Sequence, residues 1–430
     1  MASRSKPPPP PAGTQAPAAP TTIRALTDDL LREILLRLPS LPSLLRAALA
    51  CRAFLAAVRF SPTFRRRFRA LRPPPLLGFF SDPNGTQMAS FTPVRRHSDP
   101  DIAAAVRGID VFLTRVPCHD DVFPGWQIRE CRGGRLLLLN WDSKQIASYN
   151  PFTRALDLLP FPPDDISKGH RGKFMPMSYF LIPADDEAPN RSSFSVVYTC
   201  HDKSRVRAAV FSSATGKWQI LPWSDPAPEQ PASGKYWLLS GNQVNGFLCW
   251  SHSWHAYQVL LDAATLQFSF IDLPEILKGQ GHLYMTGDTK DGKLCIVASI
   301  GFTLFIWFRR ANAEGVHKWV LESMIPLEGE LLRATGGSRD EHEELKVLAI
   351  LDGIVYMCTL ETFKDATSPC WYLTFCLESR KLEKLFYGKT DGHFHPYIMA
   401  WPSALIAEAW RPGDGNHQQI QRHAFLEEDP

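Results

Sequence analysis

The sequence predicts an α+β multidomain chain: a small N-terminal unit of three helices, then a large all-β domain of about six radially packed sheets. Three observations predict it. Apolar residues at helical spacing are dense from Leu26 to Leu71 and then stop. Beyond Pro73-Pro74-Pro75 the texture changes to short β-rich runs punctuated by Asp-Gly, Asn-Gly and Pro. In that second region a turn-and-strand phrase returns every ~50–65 residues, a length that suits one four-stranded sheet with a variable loop.

The elements follow in order. Met1 to Pro20 holds seven Pro, few charges and no apolar stretch, so residues 1–22 read as a disordered tail and not as a signal peptide. The helical unit occupies residues 23–72. Thr27 can cap its first helix, Asp28 and Asp29 fall in the first turn, and Pro39 ends it. Leu30, Ile34 and Leu38 recur every four residues, and Leu31 and Leu35 widen the stripe. Pro42 opens a second helix, on which Leu44, Ala48, Cys51, Leu55 and Val58 keep helical spacing. Ser61-Pro62 forms an N-cap and N1 pair for a third, Pro62 to Leu71. Segments below about 70 residues seldom build a self-sufficient core. So leucine-rich a unit needs a partner, and it reads as a docking module.

The large domain is expected over residues 76–410, with a flexible polar tail over 411–430. One recurring phrase is a glycine turn before an apolar strand: Gly134-Arg-Leu-Leu-Leu-Leu, Asn245-Gly246-Phe-Leu-Cys-Trp, Asp291-Gly292-Lys-Leu-Cys-Ile and Asp352-Gly353-Ile-Val-Tyr-Met. The other is a polar turn, a strand and often a closing Leu-Pro or Ile-Pro, as in NPFTRALDLLP, SSATGKWQILP, DAATLQFSFIDLP and EGVHKWVLESMIP, with a weaker copy from Leu377. One such sheet cannot cover its own two faces. Radial packing covers both, which is the arrangement of a six-bladed β-propeller, with paired β-sandwiches as the alternative. Candidate blades span 78–118, 126–160, 174–223, 236–274, 282–327 and 345–388, the first being the least regular.

Composition narrows the function. The 430 residues are 44% hydrophobic and 21% charged, as in soluble globular proteins. Residues 24–72 carry eleven Arg and no Lys against Asp28, Asp29 and Glu33, so the small unit is basic and the large domain mildly acidic. Nine dispersed Cys, without a zinc-type spacing, read as reduced thiols of a cytoplasmic or nuclear protein. The longest apolar run, Leu294 to Phe308, is too short to span a bilayer and reads as two strands around a turn. No nucleophile elbow, phosphate loop or HExxH motif occurs, so no catalytic residue, metal ligand or cofactor is expected. His252 and His255 share an i, i+3 spacing, but between strands it loses its helical meaning. His393-Phe394-His395 beside Asp391 reads as a solvated turn. Arg65, Arg66, Arg67, Arg69 and Arg72 spread charge around the third helix. Without an aromatic stacking platform they read as solvation or contact with an acidic partner, not nucleic-acid binding.

At Leu26-Thr27, Leu30, Ile34-Leu35, Leu38-Pro39, Leu44-Leu45 and Cys51-Arg52-Ala53-Phe54 the chain resembles an F-box. Thr27 stands where that family usually has Pro, and Phe54 where Trp is frequent. The recurring strand phrases, with Pro73-Pro-Pro-Leu-Leu-Gly-Phe-Phe80, resemble the kelch-like propeller of plant F-box proteins. The resemblance implies a non-catalytic substrate receptor of an SCF-type cullin ubiquitin ligase. Leu26, Thr27, Leu30, Ile34, Leu35, Leu38, Pro39, Leu44, Cys51 and Phe54 would meet a Skp-type adaptor, and the propeller would capture an unidentified protein. Trp223, Trp254, His255 and Tyr257 are the candidate substrate-binding residues on blade loops. A glycan or small-ligand receptor, or a ligase-independent F-box scaffold, is the alternative.

Overall fold

A computed structural model describes residues 26–82, 89–94, 99–117, 125–183, 193–228, 236–239, 241–254, 256–279, 284–311, 317–338, 342–361, 369–388 and 393–406. The tails expected over 1–22 and 411–430 lie outside these residues. The chain forms two compact units.

The first unit contains four helices where three were expected: α1 (Asp28–Leu35), α2 (Leu41–Ala50), α3 (Arg52–Arg59) and α4 (Pro62–Leu71). Cys51 is the reason. Its extended backbone (φ −157°, ψ 158°) ends α2 and starts α3. Apolar spacing runs through that break, so periodicity could not reveal it. Helix α1 stops at Leu35, because the Arg37 N–H bonds the Ile34 carbonyl at 3.1 Å and closes a turn. A 3₁₀ turn, Ser403–Leu405, belongs to this unit, although the sequence placed everything to residue 410 in the large domain.

The second unit is a six-bladed β-propeller. It begins with β1 (Leu76–Asp82), β2 (Ser90–Pro93) and α5 (Pro100–Arg107). Four-stranded antiparallel blades follow: β3 (Trp126–Arg132) to β4 (Arg135–Asn140), β5 (Gln145–Asn150) and β6 (Ala155–Pro160); then β7 (Met175–Ile182), β8 (Ser195–His201), β9 (Val206–Ser212) and β10 (Lys217–Ile220). Next come β11 (Asn242–Val244), β12 (Phe247–Ser251), β13 (Tyr257–Asp262) and β14 (Phe268–Asp272). The fifth blade holds β15 (Tyr284–Asp288), β16 (Leu294–Ile300), β17 (Thr303–Ala311) and β18 (His317–Pro326). After α6 (Glu328–Thr335), the sixth holds β19 (His342–Leu351), β20 (Ile354–Glu361), β21 (Cys370–Cys376) and β22 (Leu382–Gly388). The apolar run from Leu294 is indeed two strands, turned at Gly301.

The first blade departs from the reading of 78–118. Its sheet has the order β2-β1-β23, in which β23 (His393–Ile398) comes from the other end of the domain. Phe80 lies opposite both Phe91 and His395. The residues taken for a solvated turn are therefore the inner strand that closes the ring. No local pattern announces a pairing between segments about three hundred residues apart, because loop-closure entropy opposes it until the intervening blades are in place.

Both sequence phrases have a structural cause. Asn245-Gly246 and Asp352-Gly353 take positive φ at both positions, which matches the twist of a tight hairpin and favours Asn, Asp and Gly. The second phrase is a turn whose fifth residue is left-handed: Arg154, Gly216, Leu266 and Arg380 all have φ of 55–66°. In three copies that residue's N–H bonds the carbonyl four positions back at 2.8 Å, from Gly216 to Ser212, Leu266 to Asp262 and Arg380 to Cys376.

The core lies between blades. On β8, Val196 and Tyr198 join Leu137, Leu139 and Ile146 of the preceding blade, while Val197 joins Leu248, Trp250 and Val259 of the next. Successive strand residues point to opposite faces, so a strand flanked by blades on both faces is buried at nearly every position, as β8 is. Blades approach tightly at Gly287, where a Cβ would lie 2.2 Å from the Ile350 Cβ. Gly287→Ala should cost about 1–3 kcal/mol through overpacking. Denaturant unfolding followed by tryptophan fluorescence would measure it.

Candidate functional site

The helical unit presents two surfaces. Each of three helix starts has an oxygen cap: Thr27 Oγ1 accepts from the Leu30 N–H, Ser40 Oγ from Ser43, and Ser61 Oγ from Phe64 at 3.3 Å. Leu31, Leu35, Leu36, Leu41, Leu44, Ala48, Val58, Phe64 and Phe68 are buried. Leu30 and Ile34, one turn apart on α1, remain 55% and 42% exposed. Of the other residues matched to the F-box pattern, Leu35 and Leu44 are interior. Leu26, Leu38, Cys51 and Phe54 are half-buried, and Thr27 and Pro39 are exposed. The single stripe read on α1 is therefore divided between an inward and an outward row.

The arginine cluster divides as well. Arg65 is only 2% exposed, and its Nη1 donates to the Arg59 carbonyl at 2.6 Å, satisfying the C-terminal end of α3. Arg72 Nε donates to the Leu38 carbonyl at 3.1 Å, and Arg32 Nε to that of Ala57 at 3.1 Å. Arg65 and Arg72 are thus struts of the unit, a correction to the solvated face expected for the whole cluster. Arg67 pairs with Glu33 at 2.8 Å on the surface.

In the propeller, β23, β3, β7, β11, β15 and β19 all contribute to a central cavity of about 490 Å³. Inner strands have one edge without a strand partner, and its peptide groups need other bonds. Side chains of flanking blades supply them. Glu130 on β3 accepts from the Leu181 N–H of β7, and Gln243 on β11, its amide nitrogen turned inward, donates to the Leu181 carbonyl at 3.0 Å and to Glu130 Oε1 at 3.2 Å. Arg132 Nη2 donates to the Gln243 carbonyl, while its Nε lies 3.6 Å from Glu130 Oε1. Farther round, Asn242 Nδ2 bonds the Thr286 carbonyl, and Asp288 accepts from the Asp352 N–H at 3.0 Å. The sequence reading missed this network. Its one visible signal was the charged Arg129, Glu130 and Arg132 in β3, and the bulge between Ile128 and Glu130 that aims these residues leaves no mark in the pattern.

The four loop residues proposed for substrate contact have different fates. Trp254 is 59% exposed on the β12–β13 loop. Trp223 is half-buried: Arg205 and Arg207 lie over its ring at 4.9 and 5.4 Å, and its Nε1 donates to the Lys168 carbonyl at 2.9 Å. Tyr257 is not on a loop but buried in β13, stacked on His252 at 4.6 Å. His255 lies outside the described residues. Among the described residues, no group of three His, Cys, Asp or Glu could hold a metal ion, and no helix is long and apolar enough to cross a membrane.

A capped helical unit with an outward apolar row, followed in sequence by a six-bladed propeller with a central cavity, defines the class: a helical module joined to a β-propeller. The model of a family described as "F-box protein AT5G49610-like, beta-propeller" matches residues 127–405, and the chain belongs to that family. No curated protein matches it. Solved structures similar to part of it include an oligogalacturonate lyase in complex with manganese (11% identity, TM-score 0.33, 63% of this chain and 65% of that one). Others are the Nup133 β-propeller domain of Vanderwaltozyma polyspora (11%, 0.33, 63% and 69%) and a nidogen/laminin complex (10%, 0.34, 75% and 99%). This chain spans less than two thirds of the lyase. Identities and TM-scores this low transfer no activity.

Burial pushes the Glu130 carboxyl up from 4.5 to about 7, with Arg132 and the Leu181 N–H offsetting only part of it. The folded state therefore holds a proton that the unfolded chain has released, and stability falls as pH rises from 4.5 to about 7. Glu130→Gln, which cannot titrate, should flatten the dependence of Tm on pH across that window. A pH profile identical to that of the parent would show that the carboxyl is ionised without penalty.

Proposed function

We propose that this chain is the substrate receptor of an SCF-type cullin ubiquitin ligase. The helical unit docks a Skp-type adaptor, which joins it to the cullin, and the propeller captures a target protein for ubiquitin transfer by another subunit. The chain performs no bond chemistry in this reading. It acts by proximity, raising the effective concentration of the target beside the ubiquitin-loaded enzyme. Such work belongs in the cytoplasm or nucleus.

The observation that carries the reading is the outward row of Leu30 and Ile34 on a helix whose Leu31 and Leu35 are buried. Membership in the F-box propeller family supports it. So does the ordered match of Leu26, Leu30, Ile34, Leu35, Leu38, Pro39, Leu44, Cys51 and Phe54 to an F-box. Among the described loop candidates Trp254 is the most exposed, which favours it for target contact.

Burying one Leu or Ile side chain is worth ~1.5–3 kcal/mol, or roughly 10- to 150-fold in affinity. Leu30→Asp and Ile34→Asp should therefore each weaken binding of purified adaptor at least tenfold, measured by calorimetry on the full chain. Because both positions are exposed in the free protein, the melting temperature should hardly change. Wild-type affinity in both variants would overturn adaptor docking through this face.

A further inference from the structure

We propose that the docking unit is discontinuous, with Pro402–Ile406 as a fifth element that holds α3 in place for adaptor capture. The inference deepens the reading of the helices as a docking module and rests on it for that last clause alone.

Helix α3 has little to hold it by itself. It is eight residues long, its N-cap Cys51 makes no side-chain cap bond, and no acidic residue sits in its first turn. A helix this short is not stable in water without packing. The 3₁₀ turn Ser403–Leu405 lies against α3. Leu405 is fully buried and Ile406 is 6% exposed. At the end of α3, Arg59 Nε donates to the Ile406 carbonyl at 2.9 Å, while Arg65 Nη1 takes the Arg59 carbonyl. Segment 402–406 is thus hydrogen-bonded to the last residue of α3, and that residue is fastened to α4.

Helix α3 is also where the module's parts meet. Phe54 lies on it, and its Ala57 carbonyl receives Arg32 Nε from α1, the helix that bears Leu30 and Ile34. Loosening α3 therefore removes an anchor of the outward row, even though every residue of 23–72 is still present.

The test compares full-length wild type, Leu405→Ala and Leu405→Asp by hydrogen exchange, adaptor titration and thermal melting. All twelve Trp lie beyond residue 125, so tryptophan fluorescence follows the propeller. In Leu405→Asp the amides of α3 should exchange at least tenfold faster and adaptor affinity should fall at least tenfold. Leu405→Ala should be intermediate, and the fluorescence melt of both variants should match the parent. Exchange in α3 unchanged in both variants would overturn the inference. If exchange accelerates but even wild type fails to bind adaptor, the fifth element stands and the docking reading falls. Should Leu405→Asp disturb the propeller melt, Leu405→Ala decides on the same exchange criterion.

Discussion

A four-stranded sheet that is apolar on both faces must be covered on both, and the large unit is organised around that requirement. Val196 and Val197 are adjacent in sequence yet belong to cores on opposite sides of their blade. The same division recurs between the fifth and sixth blades, where Val297, Leu304 and Ile306 meet Leu345, Val355 and Met357. A row of such sheets would always leave two end faces bare. Bending the row into a ring removes them, but the ring has to be shut. The chain shuts it by pairing β1 with β23, a strand from the far end of the domain, in one sheet.

Closure creates a second problem at the centre. Six inner edges converge on the cavity with peptide groups that have no strand partner. Charged and amide side chains from flanking blades answer it, as Glu130 and Gln243 do for Leu181. The cost of this solution is a carboxyl taken out of solvent and forced to hold its proton to about pH 7. Arg132 lessens that cost, and its own bond to the Gln243 carbonyl ties a third strand into the arrangement. The buried carboxyl serves geometry: with Arg132 and Gln243 it links strands of three blades at the axis.

What the sequence revealed about this fold was what is local. The Asn-Gly and Asp-Gly turns, the five-residue turn ending at Arg154, Gly216, Leu266 or Arg380, and the apolar strands after them all express backbone preferences within a few residues. Five blades were legible for that reason. The first was misread because its third strand is remote. His393 to His395 looked polar enough for a turn, although a partner strand makes the same residues an inner edge. The cavity network was hidden by a bulge that local spacing does not encode. Among the loop candidates, Trp254 was readable as exposed. Tyr257 was not readable as buried, because His252 and Phe270, the rings against it, come from elsewhere in the blade.

The helical unit shows a different limit. A stripe that includes positions 30, 31, 34 and 35 is too wide for one neighbouring helix to cover, since adjacent positions on a helix differ by about 100°. In so small a unit the interior can accept only part of it. Leu31 and Leu35 take the inside, and in that rotation of α1 Arg32 between them reaches the Ala57 carbonyl of α3. Once the rotation is set, Leu30 and Ile34 have nowhere to go but outward. Periodicity predicts the width of such a stripe and is blind to its division. The division comes with contacts to other helices, among them the Arg32 bond to α3, which a hydrophobic pattern does not record. The exposed row is thus imposed by the architecture of the unit, and a binding surface follows from the way its core was filled.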